Sequence, residues 1–431
     1  MTTLPTLTPR RRTLALLALS LGGFAIGTTE FVAMGLLPNI AQALLAHQYD
    51  AHPQAGIAHA GWLVSAYALG VVVGAPTIAA TTTRMPKKRL ILVLLVAFTL
   101  ATLASAVLPS FGLVLLARFI AGLPHGAYFS VASIVAAQIM GPGSRGKGVA
   151  MVLGGLTVAN IVGVPGVTFI GQLAGWRAAY GVVALLFALT FLAVAMLVPH
   201  QPAPEGASVR RELRAFREVQ LWLMLALGAI GFGGFFAVYA YISPLVVHVT
   251  GLPQSVVPFV LVAVGVGMTI GNIIGGFLAD WSVKRTIYIG LGTLVASLVI
   301  TVLISPFAVG IFVAAFLLGA TASLVMPSVQ SRFMDAAGEA QTIGAALMHS
   351  SFNIGNSVGA ALGGAVIAAG FGYRAPATVA IGLAILGVVI TTVSYSVERR
   401  SGRKFADHGG TGTIRTVTGS IPTTTSPVPT A

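Results

Sequence analysis

The chain has 431 residues, of which 56% are hydrophobic and 8% charged; an ordinary soluble domain carries about 25% charged residues, so there is too little charge to clothe a water-facing surface. It has no cysteine, which excludes disulfides, thiolate metal sites and thiol catalysis. The formal net charge of +14 would suit nucleic-acid binding in a soluble protein, but the placement of the basic residues argues for a different meaning.

A membrane span needs roughly 20 mostly apolar residues. Twelve such stretches are predicted, beginning near Thr13, Gly61, Leu90, Phe111, Gly148, Ala178, Gln220, Ser255, Thr286, Phe307, Gln341 and Ala375. The first follows Arg10-Arg11-Arg12, as a twin-arginine signal peptide would. It runs on through Gly27-Thr28-Thr29-Glu30-Phe31 without a cleavage site, so it reads as a retained span. Alternate loops then sort the basic residues. One set, with the N-terminus, the central segment and the tail, holds 21 Lys/Arg; the opposite set holds only Arg177 and Arg374. That partition follows the positive-inside rule and predicts both termini on the cytoplasmic side of a cell membrane. The basic excess is a topology signal, and no nucleic-acid partner is expected.

The chain repeats itself at an offset of 197 residues: Gly70 pairs with Gly267, Gly74 with Gly271, Lys87 with Lys284, Pro109 with Pro306 and Phe119 with Phe316. The register persists to Gly175-Trp176-Arg177 and Gly372-Tyr373-Arg374. Six helices per copy is an even number, so the copies keep one orientation and form a parallel repeat. The expected fold is an all-α membrane protein, with two six-helix bundles at 13–199 and 220–397. A cytoplasmic N-terminus (1–12), a cytoplasmic linker (200–219) and a disordered cytoplasmic tail (398–431) complete it. In the linker Arg210, Arg211, Arg214 and Arg217 suit either an interfacial helix or a solvated tether.

The stretch from Gly27 through Glu30 to Pro38 resembles the first span of the twelve-helix drug:proton antiporters of the major facilitator superfamily. Arg118-Phe119-Ile120-Ala121-Gly122-Leu123-Pro124-His125-Gly126 is similar to the fourth span of one branch. That branch contains an arabinose-inducible permease assigned to sugar efflux and the actinobacterial chloramphenicol-resistance permeases. The resemblance implies that Arg118 serves proton coupling. It also implies that Gly276 and Asp280, followed by Lys284 and Arg285, form a gating motif. In the first half Thr83 takes the aspartate position and Pro86 the glycine position, so that copy departs from the motif. Gly155, Gly163, Pro165 and Gly166 keep the glycines and proline of the antiporter motif, without its strict spacing.

Of ten acids in the chain, only Glu30 lies well inside a span. An ionisable group at that depth is expensive unless paired or hydrated, and is a functional candidate by default. At 1.5 Å per residue Glu30 lies roughly 12 Å and Arg118 roughly 10 Å below the same surface, so the two side chains are positioned to meet. They can act as a proton switch or as a permanent ion pair between the first and fourth spans. His125 can extend a proton path or simply pack. On the eleventh span His349, Asn353 and Asn356 form one polar stripe, expected to line a substrate cavity or to hold helices together. Phe235 and Tyr239, with Phe232, Phe236 and Tyr241, offer an aromatic wall for a drug-like solute or packing against neighbours. Asn160 and Asn272 are expected as interhelical glue.

His47, His52, His59 and Asp50 share an outer loop, but no metal and no cofactor are expected. No nucleotide-binding loop or catalytic motif is present, and no enzyme activity is expected. The functional expectation is proton-coupled efflux of a small organic compound, such as a chloramphenicol-like amphiphile, by a monomer in the lipid bilayer. Sugar or nucleoside efflux and a non-transporting receptor are the alternatives.

Overall fold

The computed structural model describes residues 8–82, 85–141, 143–201, 217–338 and 341–401. Thr83, Arg84, Arg210, Arg211, Arg214 and the tail beyond 401 fall outside the described residues. Twelve helices are long and apolar enough to span a bilayer. They are α1 (Pro9–Leu44), α2 (Pro53–Ile78), α3 (Lys87–Val107), α4 (Phe111–Met140), α5 (Arg145–Ala174) and α6 (Trp176–Leu197) in the first half. The second half holds α7 (Val219–Tyr239), α8 (Gln254–Trp281), α9 (Val283–Ile304), α10 (Ala308–Ala337), α11 (Ala346–Phe371) and α12 (Ala375–Arg400). Helices are the natural solution for such sequences, because a span in hydrocarbon must satisfy its backbone internally. The start that differs most from expectation is that of α2, at Pro53 rather than Gly61, and α1 runs on past Pro38 to Leu44. Proline in the first turn suits a helix start, since its missing N–H has no partner to lose there.

Several sequence matches of the repeat are also structural matches. A Cβ on Gly70 or on Gly267 would strike the carbonyl of Phe119 or of Phe316, respectively. Gly74 meets the Leu123 carbonyl as Gly271 meets that of Ala320. Helix pairs α2–α4 and α8–α10 therefore approach backbone to backbone at equivalent places, as small residues allow in membranes. Gly175 and Gly372 both hold positive φ, 88° and 81°, a conformation open to glycine at no steric cost. Each turn is followed by an arginine bound to the end of an earlier helix. Arg177 donates to the carbonyls of Ala106 and Leu108, and Arg374 to that of Val302.

The halves meet along two seams. Antiparallel α2 and α11 touch at Ala58 against Gly364, Ser65 against Ser357 and Val72 against Ser350, a step of two helical turns each time. On the other side α8 packs on α5, where Gly265 meets the Asn160 backbone. At the end away from the termini this second seam closes with polar bonds. Gln172 donates to the Gln254 carbonyl at 2.9 Å, and the Gln254 side chain donates to Asn39 Oδ1. Toward the termini the seam opens. Asn272, two turns beyond Gly265, is exposed, and a cavity of about 300 Å³ lies between α4, α5, α10 and α11. The crevice between the halves is thus shut at the far end and hollow at the end that carries both termini. The interhelical role expected of Asn160 and Asn272 is not found among the described residues: Asn160 donates to its own helix at Leu156.

Candidate functional site

Glu30, in the middle of α1, exposes 5% of its surface, and Arg118 on α4 exposes none. Their helices do bring them together, but not as an ion pair. Arg118 Nη1 donates to Thr29 Oγ1 at 3.1 Å and Nη2 to the Thr29 carbonyl at 2.9 Å. Its planar group also covers the Tyr67 ring at 4.3 Å and the Tyr180 ring at 5.4 Å. A guanidinium suits such a place because its donors lie in one plane and its faces stack on aromatic rings. Helix α1 is therefore clamped to α4 through Thr29, and of the two readings offered by the sequence the permanent Glu30–Arg118 pair is not the arrangement found.

Glu30 is left within electrostatic reach of Arg118, Tyr67 and Tyr239, and beside Asn356 of α11. Both side-chain polar atoms of Asn356 are buried and otherwise unpartnered. A carboxylate in such a setting costs several kcal/mol unless it gains a proton, a cation or water. Tyr239 stacks on Phe235 at 5.1 Å and lies 5.5 Å from Phe31, so these aromatic residues stand around the carboxyl group.

The polar stripe of α11 divides. Asn356 faces Glu30, while the Asn353 side chain donates to the carbonyl of His349 in its own helix. His349 stacks on Phe129 at 5.3 Å, lies 5.7 Å from the His125 ring, and forms part of the cavity wall. His125 is buried two turns beyond Arg118, and its Nδ1 lies 3.1 Å from the Tyr67 hydroxyl. The local chain explains its position: Pro124 interrupts α4 just before it, since a proline has no N–H and crowds the preceding turn.

The expected gating residues also separate. Lys284 lies over the Tyr395 ring at 5.1 Å and Arg285 over the Trp281 ring at 4.8 Å, whereas Asp280 is exposed. Gly276 faces open space, and it is Gly275 that meets the Leu324 carbonyl of α10. Sequence reasoning missed the centre of this cluster, a salt bridge of 2.9 Å between Arg332 on α10 and Glu398 on α12. Arg332 also covers the Tyr395 ring at 4.6 Å. Glu398 is one of only ten acids, and that scarcity was the available signal. Tyr67 and Thr29 carried none, since neither is ionised or unusual in a span. In the outer loop His59 Nδ1 and Gln48 Oε1 are 2.8 Å apart, and no group of three metal-ligating side chains occurs among the described residues.

Two six-span halves around a buried polar centre define a polytopic membrane transport architecture. The family model of the Major Facilitator Superfamily matches residues 19–346 and 251–427. Inner membrane transport protein YdhP of Escherichia coli is 38% identical over 392 residues, covering 90% of this chain and 96% of its own. A chloramphenicol resistance protein of Streptomyces lividans is 28% identical over 350 residues, covering 80% of this chain and 87% of its own. The fold matches that of a bacterial homologue of the human lysosomal transporter Spinster, solved inward-facing and unoccupied. The TM-score is 0.70 at 17% identity, over 92% of this chain and 99% of the other. The chain belongs to the major facilitator superfamily, a family of transporters and not of enzymes.

Proposed function

We propose that the protein is a monomeric proton-coupled exporter of small organic compounds, working by alternating access in the cell membrane with both termini in the cytoplasm. The observation that carries this reading is Glu30, a buried carboxyl group between the halves that has no ion-pair partner among the described residues. The neighbouring arginine is spent on Thr29, so the charge of Glu30 is free to change as its surroundings change. Protonation then exchanges with substrate binding, each favouring a different arrangement of the halves. The crevice, hollow at the termini end, is the state that would load a solute from the cytoplasm. Its walls of Phe129, Met348 and His349 suit an uncharged amphiphile, in keeping with the chloramphenicol resistance named for one relative. The name of YdhP supports the cytoplasmic membrane, as does the partition of 21 basic residues against 2.

The test is internal pH in proteoliposomes while chloramphenicol, lipophilic cations, pentoses and nucleosides are added in turn. A proton flux evoked by chloramphenicol and lost in Glu30→Gln supports the reading. A flux evoked only by pentoses or nucleosides replaces the substrate class and keeps the mechanism. Binding without any flux points to a receptor.

A further inference from the structure

We propose that Tyr67, His125 and His349 form a proton relay between Glu30 and the cavity at the termini end. The inference rests on the proposed role of Glu30 and adds the route by which its proton leaves. The three side chains come from α2, α4 and α11, and Tyr67 and His125 are buried from both water and lipid. Tyr67 lies within electrostatic reach of Glu30. Its hydroxyl is 3.1 Å from His125 Nδ1, a distance at which a proton moves along a hydrogen bond. The rings of His125 and His349 contact edge to face at 5.7 Å between centroids, so a rotation of either ring about its side-chain bonds carries a nitrogen of one toward the other. His349 itself borders the cavity.

The step balances with one proton and no other reactant. Once a rotation of the Glu30 side chain brings its carboxyl group to Tyr67, the Tyr67 oxygen receives the carboxyl proton as the Tyr67 hydroxyl proton passes to His125 Nδ1. His125 loses its Nε2 proton toward His349, and His349 delivers one to water in the cavity. Among the protein groups only Glu30 ends with a changed charge, and the proton it loses leaves on the cavity water. The charged and titratable groups that face the relay are few. Arg118 lies over Tyr67 and shares its other contacts with Tyr180 and Thr29; among the described residues the titratable rings in contact with the two histidines are each other and Tyr67. Arg118 opposes a lasting cation on Tyr67, so the relay passes protons without storing one.

The route also crosses the seam between the halves, since Tyr67 and His125 belong to the first and His349 to the second. A rocking motion that parts α11 from α4 breaks the His125–His349 contact. The relay is therefore connected to the termini side only in the arrangement seen here, and the proton obeys alternating access as the solute does.

The alternative is that these residues merely pack α2, α4 and α11 together. Infrared spectroscopy after a rapid pH jump, on the full chain in detergent, separates the two. The Glu30 carboxyl band is the one that Glu30→Gln lacks. Tyr67→Phe removes only a hydroxyl and keeps the ring beneath Arg118, and His349→Phe keeps the stack on Phe129. In each the band should reach its wild-type final amplitude at a rate at least about tenfold slower. Wild-type rates in both variants overturn the relay, as does a changed amplitude with an unchanged rate, the mark of a packing role. If the wild-type protein shows no titrating band that Glu30→Gln removes, the proton-coupling reading itself fails, and the relay has no proton to carry.

Discussion

The two halves share a fold and divide the charges. At the offset of 197 residues, Glu30, Arg118 and His125 of the first half correspond to Leu227, Ala315 and Ala322 of the second, all three buried and apolar. At the termini end the distribution reverses. The second half has the Arg332–Glu398 bridge with Lys284 and Tyr395 around it. The equivalent positions of the first half are Val135, Gln201, Lys87 and Val198. What repeats is the packing: the glycines that let helices touch and the arginines that tie down turns. An ionised group in a low-dielectric interior is costly unless it is paired, so packing is duplicated more readily than charge. One half therefore holds the buried acid, and the other holds the ionic clasp.

The largest expected effect comes from the centre. Glu30→Gln should lower solute-evoked proton flux in proteoliposomes at least about a hundredfold while the protein still elutes as a folded species. Adding Leu227→Glu to that variant should restore nothing, because the second half offers no arginine at position 315. Recovery of flux in the double variant would break the division of labour described above.

The clasp comes next. Glu398→Gln leaves the nearly buried Arg332 without its carboxylate, and thermal unfolding in detergent should report a loss of about 3 kcal/mol. The matching residue Gln201 is buried with both amide atoms unpartnered among the described residues. Its replacement by Leu should therefore stabilise the protein by about 1 kcal/mol. Equal losses at the two positions would mean that the halves are alike there after all.

The shared packing gives a smaller, symmetrical effect. Gly70→Ala and Gly267→Ala each force a methyl group against a backbone carbonyl, and each should cost about 1–3 kcal/mol. Stability measurements should find the two losses similar. A smaller effect still is expected at His248, outside the spans, whose ring stacks on Tyr373 at 4.9 Å. Partial burial holds its pKa below the usual 6.5, so the folded state favours the neutral ring. Its contribution is present above that value and is lost as the pH falls. His248→Gln should flatten the acid side of the stability profile slightly, as seen in melting temperature against pH.

Much of the architecture was legible in the residues, and the site only in part. The depth calculation placed Glu30 and Arg118 at one level, and the structure brings their helices together there. It could not tell that Arg118 would turn to Thr29, because one residue along a helix is a rotation of about 100°. The same limit applies to the gating motif, where Gly275 rather than Gly276 faces α10. It applies again to the α11 stripe, where Asn356 and His349 end beside different partners.

Composition and periodicity alone determine twelve spans, their parallel duplication and the single acid at mid-depth. Each helix satisfies its backbone within itself, and its burial in lipid depends on hydropathy that can be read one segment at a time. Rotation, tilt and seam registry between helices belong to no single segment. They follow from which small residues interlock across α2–α4, α8–α10 and α2–α11, and hydropathy does not distinguish one small-residue face from another. Only the tertiary structure could therefore decide that Arg118 clamps α1, that Arg332 finds Glu398, and that Tyr67 meets His125 and His125 meets His349.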